Sequence, residues 1–384
     1  MLNLPLNVAL VFNQKKEEQK KEENYEPPSK SNFVAAELKG ESPSPVFTQI
    51  QNQNCDDIYA EWDTFETIDA VRSALAEIHN VTLIEADKDA YLKLQQLKPD
   101  IVFNIAEGFN GVSREAQIPA MLDLLQIPYT GSDPLTLGIC LDKARAKEIL
   151  SYYGIPTPSF HLVSSISELA GVSVRFPSIV KPQHEGSSKG IFNSSIVNNK
   201  DELIKQVANI IETYKEGAIV EEFLTGREFT VAIIGNGKNA RTLPIVEIKF
   251  DSLPQGVNPI YSYEAKWIWD NAESPLEIFD CPAKISPALQ TEIEDICLKT
   301  YSILKCRDWC RIDVRLDANG NPNILELNPL PGILPKPEEN SCFPKAARAE
   351  GMNYNKLIQQ VLSIATERYG LYKSKYLTNV KAVE

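Results

Sequence analysis

The chain has 384 residues, 43% of them apolar, with 39 basic and 52 acidic side chains, three histidines and seven cysteines. Its length exceeds one hydrophobic core and predicts two or three domains. A net charge of −13 and a pI near 5.0, with no basic stripe, exclude a general nucleic-acid binder. No apolar run is long enough to span a bilayer, so no membrane partner is expected. Dispersed cysteines, of which Cys306 and Cys310 are the nearest pair, read as reduced thiols of a cytoplasmic protein. Three histidines are too few for a histidine-based zinc site to be expected.

The stretch from Met1 to Phe12 lacks the charged start and length of a signal peptide. Its Asn7–Phe12 part reads as a first buried strand. Residues 13–57 then interrupt the pattern with a Lys/Glu/Gln run and a Pro/Ser-rich stretch. Such a composition buries little apolar area, so a mobile insertion is expected. Over 14–23, a short charged helix and disorder fit equally well.

Order resumes at Trp62. Asp63-Thr-Phe-Glu66 resembles a capping signal for a helix reaching Ala76. Val81–Ile84 reads as a strand, Ala90–Leu97 as a helix, Asp100–Ile105 as a buried strand and Ile118–Leu125 as a helix. Strands alternating with helices predict a parallel sheet with ligands at the strands' carboxyl ends, where Glu107, Gly108 and Gly111 lie. Asp133–Leu150 reads as one helix carrying Lys143, ended by Gly154-Ile-Pro-Thr-Pro158. Phe176–Pro182 is a strand, followed by the loop from Gln183 to Gly190 and a helix over Asp201–Tyr214. Gly217–Phe223 and Glu228–Ile234 read as strands joined by a turn at Thr225-Gly226. Pro287–Leu304 and Met352–Arg368 read as helices.

The residues with chemistry cluster late in the chain. Arg311 and Asp313 lie on one apolar, strand-like run, and Glu326 and Asn328 on the next, across a polar turn. Alternate strand residues share a face, so pairing of the runs would gather one cation and three oxygen ligands. Hard oxygen ligands suit Mg²⁺ carrying nucleotide phosphates, and an arginine beside them suits phosphate charge. Lys181 ends a strand ahead of Gly186-Ser187-Ser188-Lys189-Gly190, a loop whose backbone can approach phosphates. The spacing matches neither a P-loop nor a dinucleotide fingerprint. Val220–Leu224 with Glu228 can offer backbone groups to an adenine and a carboxylate to a ribose, or can be a charged surface strand. Lys266 fits a phosphate ligand and a solvated lysine equally; His184 is read as a polar loop residue.

In this order the motifs resemble the D-alanine–D-alanine ligase family of ATP-grasp enzymes, from about Asp63 to Met352. They run Leu-Asp-Lys143-Ala-Arg-Ala-Lys, Ile-Val-Lys181-Pro-x-x-Glu-Gly-Ser-Ser-x-Gly, Glu221-Glu-Phe-Leu-x-Gly-x-Glu228-Phe-Thr-Val, Tyr-Glu-Ala-Lys266, Arg311-Ile-Asp-Val and Leu-Glu326-Leu-Asn-Pro. The resemblance implies an α/β chain, α+β in its ATP-binding part. An N-terminal parallel-sheet domain over 1–138 would precede ATP-grasp subdomains at 139–217 and 218–384. It implies a peptide-bond-forming ligase that activates a carboxylate as an acyl phosphate, acting on amino acids in cell-wall biogenesis in the cytoplasm. ATP and two Mg²⁺ ions, with Mn²⁺ as a substitute, are the implied cofactors, and the family's tendency to dimerise leaves a homodimer open. Lys143, Lys181 and Ser188 would contact ATP phosphates. Glu221, with backbone at Glu222 and Leu224, would read adenine, and Glu228 would bind ribose. Asp313, Glu326 and Asn328 would hold the metals. Arg311 and the N–H of Gly332 would stabilise the tetrahedral intermediate, Lys266 the transferred phosphate, and Ser187 would help fix the substrate.

Four departures fall in the amino-acid region. The glycine-rich loop after the first strand is replaced by the insertion, leaving Glu61 as the acid for the first substrate's ammonium. Glu107 stands where the family has histidine and Trp267 where it usually has tyrosine. Asn328-Pro-Leu-Pro-Gly-Ile-Leu-Pro335, with the segment through Ser341, replaces the usual second-substrate turn.

Overall fold

Three strands, Asn7–Phe12 (β1), Asn80–Glu85 (β2) and Ile101–Asn104 (β3), pair in parallel in the order β2-β1-β3. The central strand β1 is buried from Val8 to Phe12, as expected where both faces are covered. The covering helices are Phe65–Ala76 (α1), Ala90–Leu97 (α2) and Gln117–Leu125 (α3). The computed structural model describes residues 5–15, 61–270 and 276–371. The expected insertion at 13–57 therefore lies outside the described residues from 16 onward. Its first residues belong to the body. Asn13 is buried, its side chain bonding Ala86 O and Gly108 N, and Lys15 N donates to Asp63 O at 2.7 Å.

The cap of α1 is Thr64, whose Oγ1 accepts from Thr67 N; the capping signal expected at Asp63 lies one residue further on. The expected single helix over 133–150 is two, Pro134–Leu141 (α4) and Lys143–Tyr152 (α5). Asp142 between them takes an extended conformation, and its carboxylate caps α5 by accepting from Arg145 N. Lys143 thereby becomes the first residue of a helix, and its N–H donates to Gln183 O.

Phe160–Val163 (β4), Ser178–Pro182 (β5), Ile196–Val197 (β6) and Ala218–Glu222 (β7) form an antiparallel sheet in the order β4-β7-β5-β6, packed against Lys200–Tyr214 (α6). A second antiparallel sheet contains Glu228–Ile234 (β8), Arg241–Thr242 (β9), Val246–Ile248 (β10), Phe279–Asp280 (β11), Trp309–Leu316 (β12) and Pro322–Asn328 (β13). Its order is β11-β10-β8-β12-β13, with β9 beside β8. β7 and β8 are thus not a hairpin. Between them the chain crosses from one sheet to the other, and Gly226 lies so close to Leu316 that an added Cβ would meet Leu316 O at 2.4 Å.

This moves the expected divisions. A boundary at 217/218 severs β7 from its sheet, which ends at Glu222. One at 138/139 cuts α4, whose Cys140 shares a core with Ala146 and Leu150 of α5 and with Phe229 and Val231 of β8. The last helices, Pro287–Ile303 (α7), Cys342–Ala349 (α8) and Tyr354–Arg368 (α9), complete the fold. α9 returns to the N-terminal sheet. Leu357, Ile358, Val361 and Leu362 are buried in one core with Val8, Leu10, Ile68 and Leu75. Each fully buried aliphatic side chain contributes about 1.5–3 kcal/mol. Gln359 adds bonds from Nε2 to Ala74 O at 3.0 Å and Glu77 Oε2 at 2.8 Å. The first and last parts of the chain therefore share one hydrophobic core, and the second antiparallel sheet is packed on both sides. Among the described residues no helix is long and apolar enough to cross a membrane.

Candidate active site between two antiparallel sheets

The β12–β13 hairpin places Arg311 opposite Asn328 and Asp313 opposite Glu326. All four side chains lie on one face, as the alternation predicted. Beyond Asp313 a bulge shifts the register on β13, which skips Leu325 between Glu326 and Ile324. Arg311 holds Asp313 in a two-pronged pair, Nε to Oδ1 at 3.0 Å and Nη2 to Oδ2 at 2.9 Å. Asn328 Nδ2 reaches Asp313 Oδ2 at 3.3 Å and Glu326 Oε1 at 3.5 Å. Burial raises Glu326, but Lys143, Lys181 and Arg311 outweigh it and hold the carboxyl down at about 2. Two carboxylates and an amide oxygen are a hard donor set that fits Mg²⁺. Among the described residues no cluster of three His, Cys, Asp or Glu side chains forms a full cage, so a cation here would complete its shell with a ligand's oxygens.

Lys143 Nζ donates to Glu185 O at 2.5 Å and lies 3.6 Å from Glu326 Oε2. Lys181 Nζ lies 2.8 Å from Glu221 Oε2, and Lys147 Nζ 3.4 Å from Glu221 Oε1. Glu221 is 1% exposed and lines the larger cleft, and its carboxylate also anchors the two lysines. Glu228, expected to bind ribose, is engaged by Arg315 Nη1 at 2.7 Å. Arg315 also donates to Pro259 O and lies over the Phe223 ring. Glu222 N is taken by Ser159 O, whereas no acceptor among the described residues takes Leu224 N.

The loop after β5 is bent tightly. Ser187 and Ser188 have φ of 51° and 61°, two consecutive left-handed non-glycine residues. Such backbone costs about 1 kcal/mol or more per residue and clusters at ligand clamps. Ser188 Oγ donates to Tyr261 O, and Trp267 Nε1 to Ser187 O at 3.2 Å, tying the loop to the segment that carries Lys266. Lys266, over the Trp267 ring at 5.2 Å, is lowered to about 8, first by burial and then by Arg311. Gly332 lines the same space, and its carbonyl accepts from Ser341 Oγ. The Ser341 hydroxyl also accepts from Leu334 N, so it fixes the loop instead of standing free for a substrate.

Two connected clefts result. The larger, about 1630 Å³, runs past Lys181, Glu222, Leu224, Asp313 and Trp267. The smaller, about 880 Å³, has Lys143, Lys266 and Arg311 on one side and Glu61, Asp63, Glu107 and Glu115 on the other. Glu61 is not a free acid. Both its oxygens take Arg114 Nη2, at 2.8 and 2.7 Å, and Gly186 N donates to Oε1 at 2.8 Å. An added Cβ at Gly186 would meet that oxygen at 2.5 Å, so the contact requires glycine.

Sequence reasoning missed Lys147, Arg315, Arg114 and Glu115. Lys147 had a signal, since it lies four residues after Lys143 on one helix face. Arg315 continues the alternation from Arg311 and Asp313. Arg114 and Glu115 carried none.

A sequence pattern described as the D-ala D-ala ligase C-terminus matches residues 149–363. This chain belongs to the D-alanine–D-alanine ligase family. It is an ATP-grasp enzyme of the ATP-dependent, peptide-bond-forming ligase class. A D-alanine–D-alanine ligase of Bordetella petrii is 35% identical over 268 residues, 69% of this chain and 76% of that protein. An uncharacterised protein, y4sG, of Sinorhizobium fredii is 36% identical over 317 residues, 80% of this chain and 90% of that one. The fold matches a D-alanine–D-alanine ligase from Bacillus anthracis, solved in complex with ATP, with a TM-score of 0.63 at 22% identity over 97% of this chain and 99% of that chain.

Proposed function

We propose that this ligase joins two amino acids, activating the carboxylate of the first as an acyl phosphate that the amine of the second attacks. The observation that carries the reading is the face of the β12–β13 hairpin, where Arg311, Asp313, Glu326 and Asn328 meet Lys143 from α5. A carboxylate oxygen of the first substrate attacks the γ-phosphorus of ATP, and the bond to ADP breaks. The neutral amine of the second then attacks the acyl carbon, inorganic phosphate leaves, and the amine loses a proton.

ATP would occupy the larger cleft between the two sheets. Lys143 and Lys181 would meet its phosphates, with Ser188 and its neighbours closing over them. The N–H of Leu224 is available to an adenine, and Glu222 lines that end. Glu221 would act through the lysines it positions, and Glu228 through a ribose hydroxyl beside its bond to Arg315. Asp313, Glu326 and Asn328 would hold two Mg²⁺ ions, or Mn²⁺ in their place, which when bound neutralise phosphate charge. Arg311, Lys266 and the N–H of Gly332 aim positive charge where the transferring group is negative. Ser187, Trp267 and the Gly332–Ser341 loop wall the reacting centre from water, which would destroy an acyl phosphate. The intact set of Arg311, Asp313, Glu326 and Asn328 argues against an ATP-binding module that has lost catalysis.

The test is phosphate and ADP release with pairs of D- and L-amino acids, with mass spectrometry of products. A dipeptide formed with one ADP per bond is expected. Asp313→Asn should lower turnover by roughly 100-fold or more, since several kcal/mol of charge stabilisation is lost, with an unchanged circular dichroism spectrum. Near-normal ADP release in that variant would overturn the metal assignment, and no ADP with any pair would overturn the reaction.

A further inference from the structure

Beyond the phosphate side, the smaller cleft is acidic where it faces the N-terminal sheet. Glu107 follows β3 directly, Glu115 lies in a single 3₁₀ turn just before α3, and Glu61 and Asp63 come from the strip beside β1. Lys143 also acts on Glu115 but is engaged by Glu185 O and Glu326; the other neighbouring cation is Arg114. Its guanidinium is consumed by both oxygens of Glu61, by Glu185 Oε2 at 3.3 Å and by His184 O. Glu115 is 9% exposed, lines the cleft, and makes no hydrogen bond or ion pair within 4 Å among the described residues. The Glu107 carboxyl likewise has no such partner there. A carboxylate held in a cleft without a partner is costly, so the buried Glu115, with the half-buried Glu107 lining the same cleft, calls for a ligand that supplies positive charge.

A simple amino acid supplies one ammonium. Its carboxylate and the ATP phosphates would be met by Lys143, Lys266 and Arg311 across the cleft, leaving the acidic wall with one positive group for two unpaired carboxyls. On the reading of this enzyme as an amino-acid ligase, we propose that one substrate is a diamino acid, whose second ammonium on a short side chain is received by Glu107 and Glu115. Burial holds Asp63 at about 7; burial and the neighbouring carboxyls hold Glu115 at about 8 and raise Glu107 as well. A cationic ligand would release these protons.

The test compares kcat/KM for ADP release with both enantiomers of 2,3-diaminopropionate, 2,4-diaminobutyrate, ornithine and lysine against those of alanine, serine and norvaline. Each is supplied alone and with D-alanine as co-substrate. The expected result is a preference of at least tenfold for a diamino acid over the uncharged amino acid of matching length. In Glu107→Gln and Glu115→Gln that preference should collapse by roughly tenfold each, the size of a lost charge-assisted bond. An equal or greater kcat/KM for D-alanine would overturn the inference and leave the ligase reading standing. So would an undiminished preference in both variants. A second readout is calorimetric binding of 2,4-diaminobutyrate to the full chain with MgADP, in buffers of different ionisation enthalpy. Proton release on binding, lost in Glu115→Gln, is expected; binding no tighter than that of alanine would overturn the inference even if no turnover were found. No ADP from any pair falls on the reaction itself and overturns both.

Discussion

His184 shows how much a single ring contributes when two carboxylates hold it. Its Nδ1 lies 2.7 Å from Glu216 Oε2 and its Nε2 3.5 Å from Asp142 Oδ2. Burial lowers the ring's basicity, but the two acids outweigh it and lift the pKa to about 9. Asp142, raised by burial and lowered further by His184 and Gln183, falls to about 2. The signs give a window. A histidine raised above 6.5 contributes stability that is complete below pH 6.5 and lost as pH rises through about 9. An aspartate lowered from 3.8 contributes stability present above pH 3.8 and lost as pH falls through about 2. Because Asp142 also starts α5, the same contact positions Lys143. His184→Gln should therefore lower Tm most between pH 4 and 6.5, with the deficit shrinking steadily toward pH 9.5. Thermal melts across that range check it, and a deficit independent of pH would mean that the ring acts through packing alone.

At the scale of elements, the loop over Gln183–Gly190 and the segment around Lys266 close on each other from different sheets. Trp267 is the link, through its indole N–H to Ser187 O and its ring beneath Lys266. Trp267→Ala removes a hydrogen bond and a cation–π contact, each about 1 kcal/mol. The KM for ATP should rise roughly 5- to 30-fold, and amide exchange over the loop should quicken in the free enzyme. Exchange that stays as slow as in the parent would show the loop held by Glu61, Lys143 and the Ser188–Tyr261 bond without Trp267. The β12–β13 hairpin and its charged face were legible because a period of two, a polar turn and an acid inside an apolar run leave few arrangements. β7 and β8 were not, because strand, short turn and strand read alike whether the chain folds back or crosses to another sheet; only Gly226 against Leu316 decides it. The break at Asp142 was hidden for a related reason. An aspartate inside a helical pattern reads as an ordinary helical residue unless the chain breaks there, and here the break is held by Lys143 N donating to Gln183 O. Side-chain partners such as Arg315 for Glu228 depend on which strands become neighbours, which spacing along the chain does not encode.

At the scale of the whole molecule, Lys15 N bonds Asp63 O, and Asp63 N bonds Asn13 O, so the two ends that flank residues 16–60 lie side by side. Gln14 and Asp63 pair in a parallel bridge there. What must be retained is the re-entry: Glu61 grips Arg114 and Gly186, Trp62 Nε1 bonds Gly108 O, and Asp63 lines the smaller cleft. Residues 16–60 can then be replaced by a linker of about six residues without moving either end. Closing a shorter loop costs less entropy, about 0.6 kcal/mol for each halving, so nearly three halvings favour the excised chain by about 2 kcal/mol. Tm should rise by a few degrees, with ATP affinity unchanged because the flanking residues that line the nucleotide cleft, Lys15 and Glu61 to Thr64, are all retained. Thermal melts and nucleotide titration of the excised protein beside the full chain measure both. A Tm lower by more than about 5 °C, or weakened ATP binding, would mean that residues 16–60 supply contacts worth more than the loop entropy they cost.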